Sequence, residues 1–237
     1  MQTLRVGAAY PDPPFNGTPY GGGLDVDLMT AVADKLGMSI EFIPYEGADF
    51  NGIFDALNAK DFDCVAAGTT VTPDREKKAE FVPPYLISGQ SLAVNTRRLP
   101  TVRSVDDLEG LTIGVQHGNT SLPIAEQLVA DGKAAGIEVY DYGNIRAALA
   151  DLTAGGCDAF MKLAPVLTEL VKPIADVEVV QQGISTEDVA VAVGLGDQEL
   201  LARISVAQAE LEEDGTLQRI RRKWLGNPYT DQSLGML

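Results

Sequence analysis

The residues best equipped for chemistry lie in Ala67-Gly68-Thr69-Thr70-Val71-Thr72-Pro73-Asp74-Arg75, directly after an apolar run. The segment combines a guanidinium, several hydroxyls and a glycine at which backbone can approach a ligand closely. A guanidinium fork with hydroxyl and N–H donors matches the two oxygens of a carboxylate. The same residues also suit a purely structural role, with Arg75 paired to a neighbouring Glu and the threonines forming a turn. A second segment, Val115-Gln116-His117-Gly118-Asn119-Thr120-Ser121, reads as strand, glycine-bearing turn and helix start. Helix N-termini present unpaired N–H groups and partial positive charge, so this turn is a candidate anion seat. Ordinary helix capping by Thr120 or Ser121 accounts for the same residues without any ligand.

Catalytic and metal-binding patterns are sparse by comparison. His117 is the single histidine, and no nucleophile accompanies it, so it reads as pocket wall or bystander. Cys64 and Cys157 are the two cysteines and have no ligand spacing with His117, so neither a metal site nor a cofactor is expected. Each is flanked by an Asp at the start of an apolar run, which points to buried free thiols. The chain carries 34 acidic and 18 basic residues, a net charge of −16. That balance excludes nucleic acid and anionic membrane surfaces as natural partners, because phosphate binding needs a basic face. It suits a soluble monomer, and a small anionic ligand remains compatible because a pocket works through local donors.

The elements that must position these residues alternate. Leu4–Ala8 reads as strand, Gly23–Leu36 as helix with Gly37 as its stop, Ser39–Pro44 as strand, Phe50–Ala59 as helix and Cys64–Ala67 as strand. A second series runs Leu111–Val115 (strand), Ser121–Ala130 (helix), Ile137–Tyr140 (strand), Ile145–Ala154 (helix), Ala159–Lys162 (strand) and Pro165–Val171 (helix). Val189–Val193 returns as strand, and the stretch from Leu200 to Trp224 is helical. Such alternation predicts mostly parallel sheets with helices on both faces. An internal echo supports two sheets: Phe54, Leu57 and Asp63 precede Cys64 as Leu149, Leu152 and Asp158 precede Ala159. It places the two cysteines in different halves, so no bridge between them is expected. With 237 residues, two cores can be built.

Nearly the whole chain resembles the bacterial extracytoplasmic solute-binding proteins of polar amino-acid ABC transporters, family 3. The marks are Gly23-Leu24-Asp25-Val26-Asp27-Leu28-Met29, the Ala67–Arg75 segment, Phe81-Val82-Pro83-Pro84-Tyr85 and Gly89-Gln90-Ser91-Leu92-Ala93-Val94. Leu108–Gln116, Asp158-Ala159 with Ala164-Pro165-Val166, and Asp214-Gly215-Thr216-Leu217 leading to Lys223-Trp224-Leu225-Gly226 complete them. The resemblance implies an α/β, type II periplasmic-binding-protein fold of two lobes joined by two hinge crossings, with the ligand closed between them. Lobe 1 would be residues 1–93 plus 189–237, and lobe 2 residues 94–188. It also implies a membrane permease as partner and a periplasmic or extracytoplasmic location. The chain opens Met1-Gln2-Thr3 straight onto an apolar run, which fits either a cytoplasmic protein or a chain whose targeting segment was removed and a start methionine supplied.

Carried over residue by residue, the resemblance assigns the ligand carboxylate to Arg75, Gly68, Thr69 and Thr70, with Asn119 and Thr120 contacting it from the second lobe. Phe50 falls where an aromatic ring packs on the ligand, and Asp12 where another first-lobe aromatic is frequent. One departure stands out. Amino-acid binders of the family carry an Asp for the ligand ammonium just before the Ala-Pro-Val stretch, and here Leu163 holds that position, preceded by Lys162. A buried ammonium beside Leu163 needs an acid from elsewhere, with Asp12, Asp49 and Asp188 as candidates. Otherwise the ligand lacks an ammonium, and ordinary L-amino acids bind poorly. Lys162 either receives a second anionic group or, as alternation favours, points away from the ligand. Two other functions fit the fold: a dehydratase resembling cyclohexadienyl dehydratase, and the sensing domain of a receptor. Nothing here pairs an acid with a tuning partner, so the chain reads as a binder and not an enzyme.

Overall fold

The computed structural model describes residues 2–17 and 21–226. The chain divides into two compact units, Met1–Tyr45 with Ile53–Tyr85 and Val189–Leu237, and Glu46–Gly52 with Leu86–Asp188.

The first unit opens with β1 (Thr3–Ala9), α1 (Leu24–Leu36), β2 (Ser39–Tyr45), α2 (Gly52–Asn58) and β3 (Cys64–Val65). A four-residue helix α3 (Pro73–Glu76) and strand β4 (Ala79–Phe81) follow. In the second unit come β5 (Leu86–Ser88), β6 (Gln90–Asn95), β7 (Thr112–Gln116), α4 (Ser121–Ala130), β8 (Gly136–Tyr140), α5 (Ile145–Ala154), β9 (Ala159–Leu163), α6 (Ala164–Val171) and β10 (Val177–Gln181). The chain returns through β11 (Glu187–Val189) and β12 (Ala192–Gly194) to α7 (Gln198–Glu213) and α8 (Thr216–Leu225).

Each unit is built on one sheet, ordered β2-β1-β3-β12-β4 in the first and β10-β6-β9-β7-β8 in the second. The internal echo read from the sequence is a real correspondence. β1 runs parallel to β2 and β3, as β7 does to β8 and β9. Asp63 and Asp158 play one role: each carboxylate accepts the backbone N–H at the start of the neighbouring strand, from Arg5 at 2.9 Å and Thr112 at 3.0 Å. Cys64 and Cys157 are buried and free, one in each unit.

The sheets are mixed rather than mostly parallel. β12 is antiparallel to β3 and β4, and β6 is antiparallel to β9 and β10. These added strands are short or lie near Pro83 and Pro84, which hides them from a periodicity reading. β6 is hydrogen-bonded on both sides within the second sheet, so the stretch through residue 93 does not pair with the first. The expected strand Val189–Val193 breaks in two. Ala190 N–H bonds the Thr69 carbonyl, and the Val191 carbonyl takes the Val82 N–H, so the ladder stops between β11 and β12. Strand alternation in β6 feeds both faces of the second sheet. Leu92 and Val94 join Ile113, Val115 and Met161 on one side, and Ala93 joins Phe160, Leu152 and Leu167 on the other. The first core gathers Leu4, Val6, Leu28, Val32, Phe54, Leu57, Val193 and Ile204, all fully buried.

Candidate functional site

The Ala67–Arg75 segment is fixed by its surroundings at every step. β3 ends because Gly68 turns at φ +56°, where a Cβ would also meet the Phe15 ring at 2.8 Å. Only glycine satisfies both conditions. The Gly68 N–H donates to Asp25 Oδ2 at 2.7 Å, and the Tyr85 hydroxyl donates to Asp25 Oδ1. Burial pushes the Asp25 carboxyl up to about 6, even though these two donors favour its charged form. Thr69 is fully buried and its hydroxyl has no hydrogen-bond partner. Thr70 forms a bridge with Val189. Thr72 caps α3, its hydroxyl accepting the Arg75 N–H at 3.2 Å, with Pro73 at the first helical position.

That short turn delivers Arg75, which is 6% exposed. Its Nη1 donates to the Thr70 carbonyl at 2.9 Å, and its guanidinium carbon lies 5.7 Å from the centre of the Phe54 ring. The fork is therefore oriented by a carbonyl and an aromatic face before any ligand is met. Asp12 is buried nearby, its backbone paired with Asn16, whose amide donates to the Ala66 carbonyl at 3.2 Å. Gly68, Thr69, Thr70, Arg75 and Asp12 thus belong to one neighbourhood of the first unit.

The second unit assembles its polar residues from many segments. Phe50 does not start α2, as the sequence suggested; its N–H bonds the His117 carbonyl at 3.2 Å, and the helix begins at Gly52. The Phe50 ring packs against Tyr142 with centroids 5.1 Å apart. Gly118 sits at φ +78°, and a Cβ there would lie 2.0 Å from Asp49 Oδ1. His117 Nε2 lies 3.8 Å from the Asp49 carboxylate, both half-exposed. Asn119 and Thr120 lead into α4, and no side chain caps this helix. Its first residue, Ser121, is fully buried with an unpartnered hydroxyl.

Lys162 contradicts the alternation argument that turned it outward. It is 3% exposed, donates to Gln116 Oε1 at 2.8 Å and lies 5.4 Å from the Tyr142 ring centre. A lysine can point into an interior when a carbonyl and an aromatic face receive it. Leu163 is buried and faces Gln90 across the β6–β9 ladder. Of the three expected acids, Asp12 is in the first unit, Asp49 is half-exposed in the second, and Asp188 faces solvent. In the second unit a buried acid is the neighbour of Asp188, Glu187, which the sequence reading missed together with Gln90, Gln116 and Tyr142. Strand alternation around 187–189 carries the only signal, since one of two adjacent acids must turn inward.

Glu187 lies at the centre of a hydrogen-bond network. Its Oε1 accepts from Gln90 Nε2 at 3.0 Å and Ser185 Oγ at 2.7 Å, and its Oε2 accepts from the Thr120 hydroxyl at 2.8 Å. Gln90 Nε2 also donates to Thr120 Oγ1 at 3.0 Å. Among the described residues, no cluster of three or more His, Cys, Asp or Glu side chains could hold a metal ion, and no helix is long and apolar enough to cross a membrane.

Residues 4–227 match the family described as bacterial extracellular solute-binding proteins, family 3. The L-cystine-binding protein TcyJ of Escherichia coli (strain K12) is 31% identical over 232 residues, covering 96% of this chain and 84% of the relative. Among solved structures, an ancestral arginine-binding protein bound to arginine is 36% identical with a TM-score of 0.85, over 95% of this chain and 99% of the other. The ancestral amino acid-binding protein AncCDT-1, described as a precursor of cyclohexadienyl dehydratase, is 32% identical with a TM-score of 0.82, over 94% and 95%.

Proposed function

Because this chain belongs to the family 3 bacterial extracellular solute-binding proteins, we propose that it captures an amino acid and hands it to the permease of an ABC transporter. The observation that carries this reading is the prearranged Arg75 fork beside Gly68, Thr69 and Thr70. A guanidinium held in place in advance loses little side-chain entropy on meeting a carboxylate, which is how a small ligand gains affinity. In the second unit, the start of α4 with Asn119, Thr120 and the buried Ser121 hydroxyl is an anion seat of N–H and O–H donors in its own right. Phe50, backed by Tyr142, supplies an aromatic face for the apolar part of the ligand. The relatives bind cystine and arginine, which supports an amino acid rather than a sugar or a metal ion.

The protein acts as a monomer outside the cytoplasm and leaves its ligand chemically unchanged. Its resemblance to a dehydratase precursor does not argue for catalysis, since that ancestor is itself described as a binding protein. Isothermal titration calorimetry with L-arginine, L-cystine and the common L-amino acids tests the reading. At least one should bind with micromolar affinity or better and be recovered intact. A chain that binds no amino acid, or that converts one, overturns it.

A further inference from the structure

Asp25 lies beneath the first unit's turn and takes no part in the fork itself. Its side chain is fully buried; Oδ2 accepts the Gly68 N–H at 2.7 Å, and Oδ1 accepts the Tyr85 hydroxyl. Both contacts survive a change of protonation state. A neutral carboxyl keeps one oxygen as acceptor for the amide and turns its own O–H to the phenol oxygen, which accepts as well as it donates. A proton can therefore enter or leave this site without repacking. Tyr10 and Asp12, on the chain leaving β1, and the Asn16 amide face the same carboxyl. Burial opposes its charge, and the Asp12 carboxyl adds to that opposition, so Asp25 changes charge near neutral pH.

The position is as informative as the chemistry. Thr69 and Thr70 directly follow the amide that Asp25 holds, and Arg75 donates back to the Thr70 carbonyl. Phe15 is fully buried, with its ring against Gly68, so the surroundings are apolar and screen a charge poorly. A ligand carboxylate seated at Thr69, Thr70 and Arg75 is repelled by an ionised Asp25 and not by a neutral one. By linkage, the bound carboxylate tightens the hold of Asp25 on its proton by the same factor. We propose that Asp25 is a proton switch for the first unit's turn, so that this protein takes up a proton with its ligand and holds that ligand more tightly in acid. The inference rests on the reading of Arg75 as a carboxylate fork and adds a regulation to that site.

The test is calorimetry of the full chain with L-arginine, or with the tightest-binding L-amino acid of the series above. Titrations at about pH 6.5 in phosphate and in imidazole count protons, because uptake makes the measured heat depend on the buffer. The unaltered protein should take up about 0.3–0.6 proton per ligand and bind roughly five- to tenfold more weakly at about pH 8 than at about pH 5. Asp25→Asn keeps an acceptor for the Gly68 amide but cannot titrate, so its uptake should vanish and its affinity profile should be flat. A carboxyl that only braces the turn would change the melting temperature of this variant and leave proton uptake as it was. Uptake that persists in Asp25→Asn belongs to another side chain and overturns the switch. Should that variant not fold, Tyr85→Phe removes a donor to the charged form and should move the midpoint of the affinity profile to higher pH; an unmoved midpoint overturns the proposal. Binding without proton uptake by the unaltered protein overturns it too and leaves the amino-acid reading intact. Failure of every common L-amino acid to bind removes both readings together.

Discussion

The two units gather their candidate polar residues with opposite economies of sequence. In the first unit the polar residues that matter fall within nine consecutive positions, Ala67 to Arg75, and one tight turn shapes them all. In the second they come from Phe50, Gln90, Gln116, Thr120, Tyr142, Lys162 and Glu187, brought together by contacts between segments far apart in sequence. A contiguous turn suits one kind of group, and the fork proposed at Arg75 suits a carboxylate. A constellation drawn from many segments can be retuned by single substitutions.

The sharpest way to break this comparison is Arg75→Ala. It should weaken amino-acid binding by about a hundredfold or more in calorimetry, because the buried hydroxyls around it cannot replace a charged fork. Arg75→Lys should recover only part of the loss, since an ammonium does not reproduce the planar fork. A retained affinity in Arg75→Ala would mean that the second unit alone holds the carboxylate.

Next in size is Gly118→Ala. It adds a Cβ to a backbone at φ +78° and drives it into the Asp49 carboxylate. The expected cost is about 1–3 kcal/mol in chemical denaturation, with a loss of affinity as Asp49 and Phe50 are displaced. A neutral outcome would show that the 46–52 segment is not needed to complete the second unit.

A third test concerns the support beneath the first unit's turn. Because the Asp25 carboxyl is raised from 3.8 to about 6 in the folded chain, that chain holds the proton more tightly than the unfolded one. The contribution is fully present below about pH 4 and is lost as the pH rises through about 6. Asp25→Asn removes the dependence. The margin of the unaltered protein over this variant should therefore shrink between about pH 4 and pH 7, by an amount on the order of 1–3 kcal/mol. A margin that grows with pH would place the charge of Asp25 in a stabilising role instead.

The smallest effect is expected at the cysteines. Burial raises the thiol pKa of Cys64 and pushes that of Cys157 up to about 11, and both are free. Reductant should leave the melting temperature unchanged, and thiol reagents should label either residue only as fast as its unit opens.

What the sequence made legible follows the same division. Helices α4 and α5 start and stop where their apolar spacing and flanking residues put them, and Gly37 ends α1 in the left-handed conformation its position suggested. Local signals suffice for such elements. Strands β4, β5, β6 and β10 owe their existence to partners far along the chain, and their residues carry no period that betrays a pairing. The same physics governs the site. Arg75 was readable because its neighbours in sequence are its neighbours in space. Glu187 was not, because the residues that make it meaningful, Gln90 and Thr120, lie 97 and 67 positions away.

The bond from the Gly68 amide to Asp25 has one consequence for motion. Asp25 is fully buried on α1, so the site turn can release this amide only if the helix yields with it. In hydrogen exchange the Gly68 N–H should therefore keep time with the interior of α1 rather than with the surface loops. A ligand bound at this turn, as proposed, would meet a segment as still as the core, and whatever adjustment binding requires would be made elsewhere in the protein.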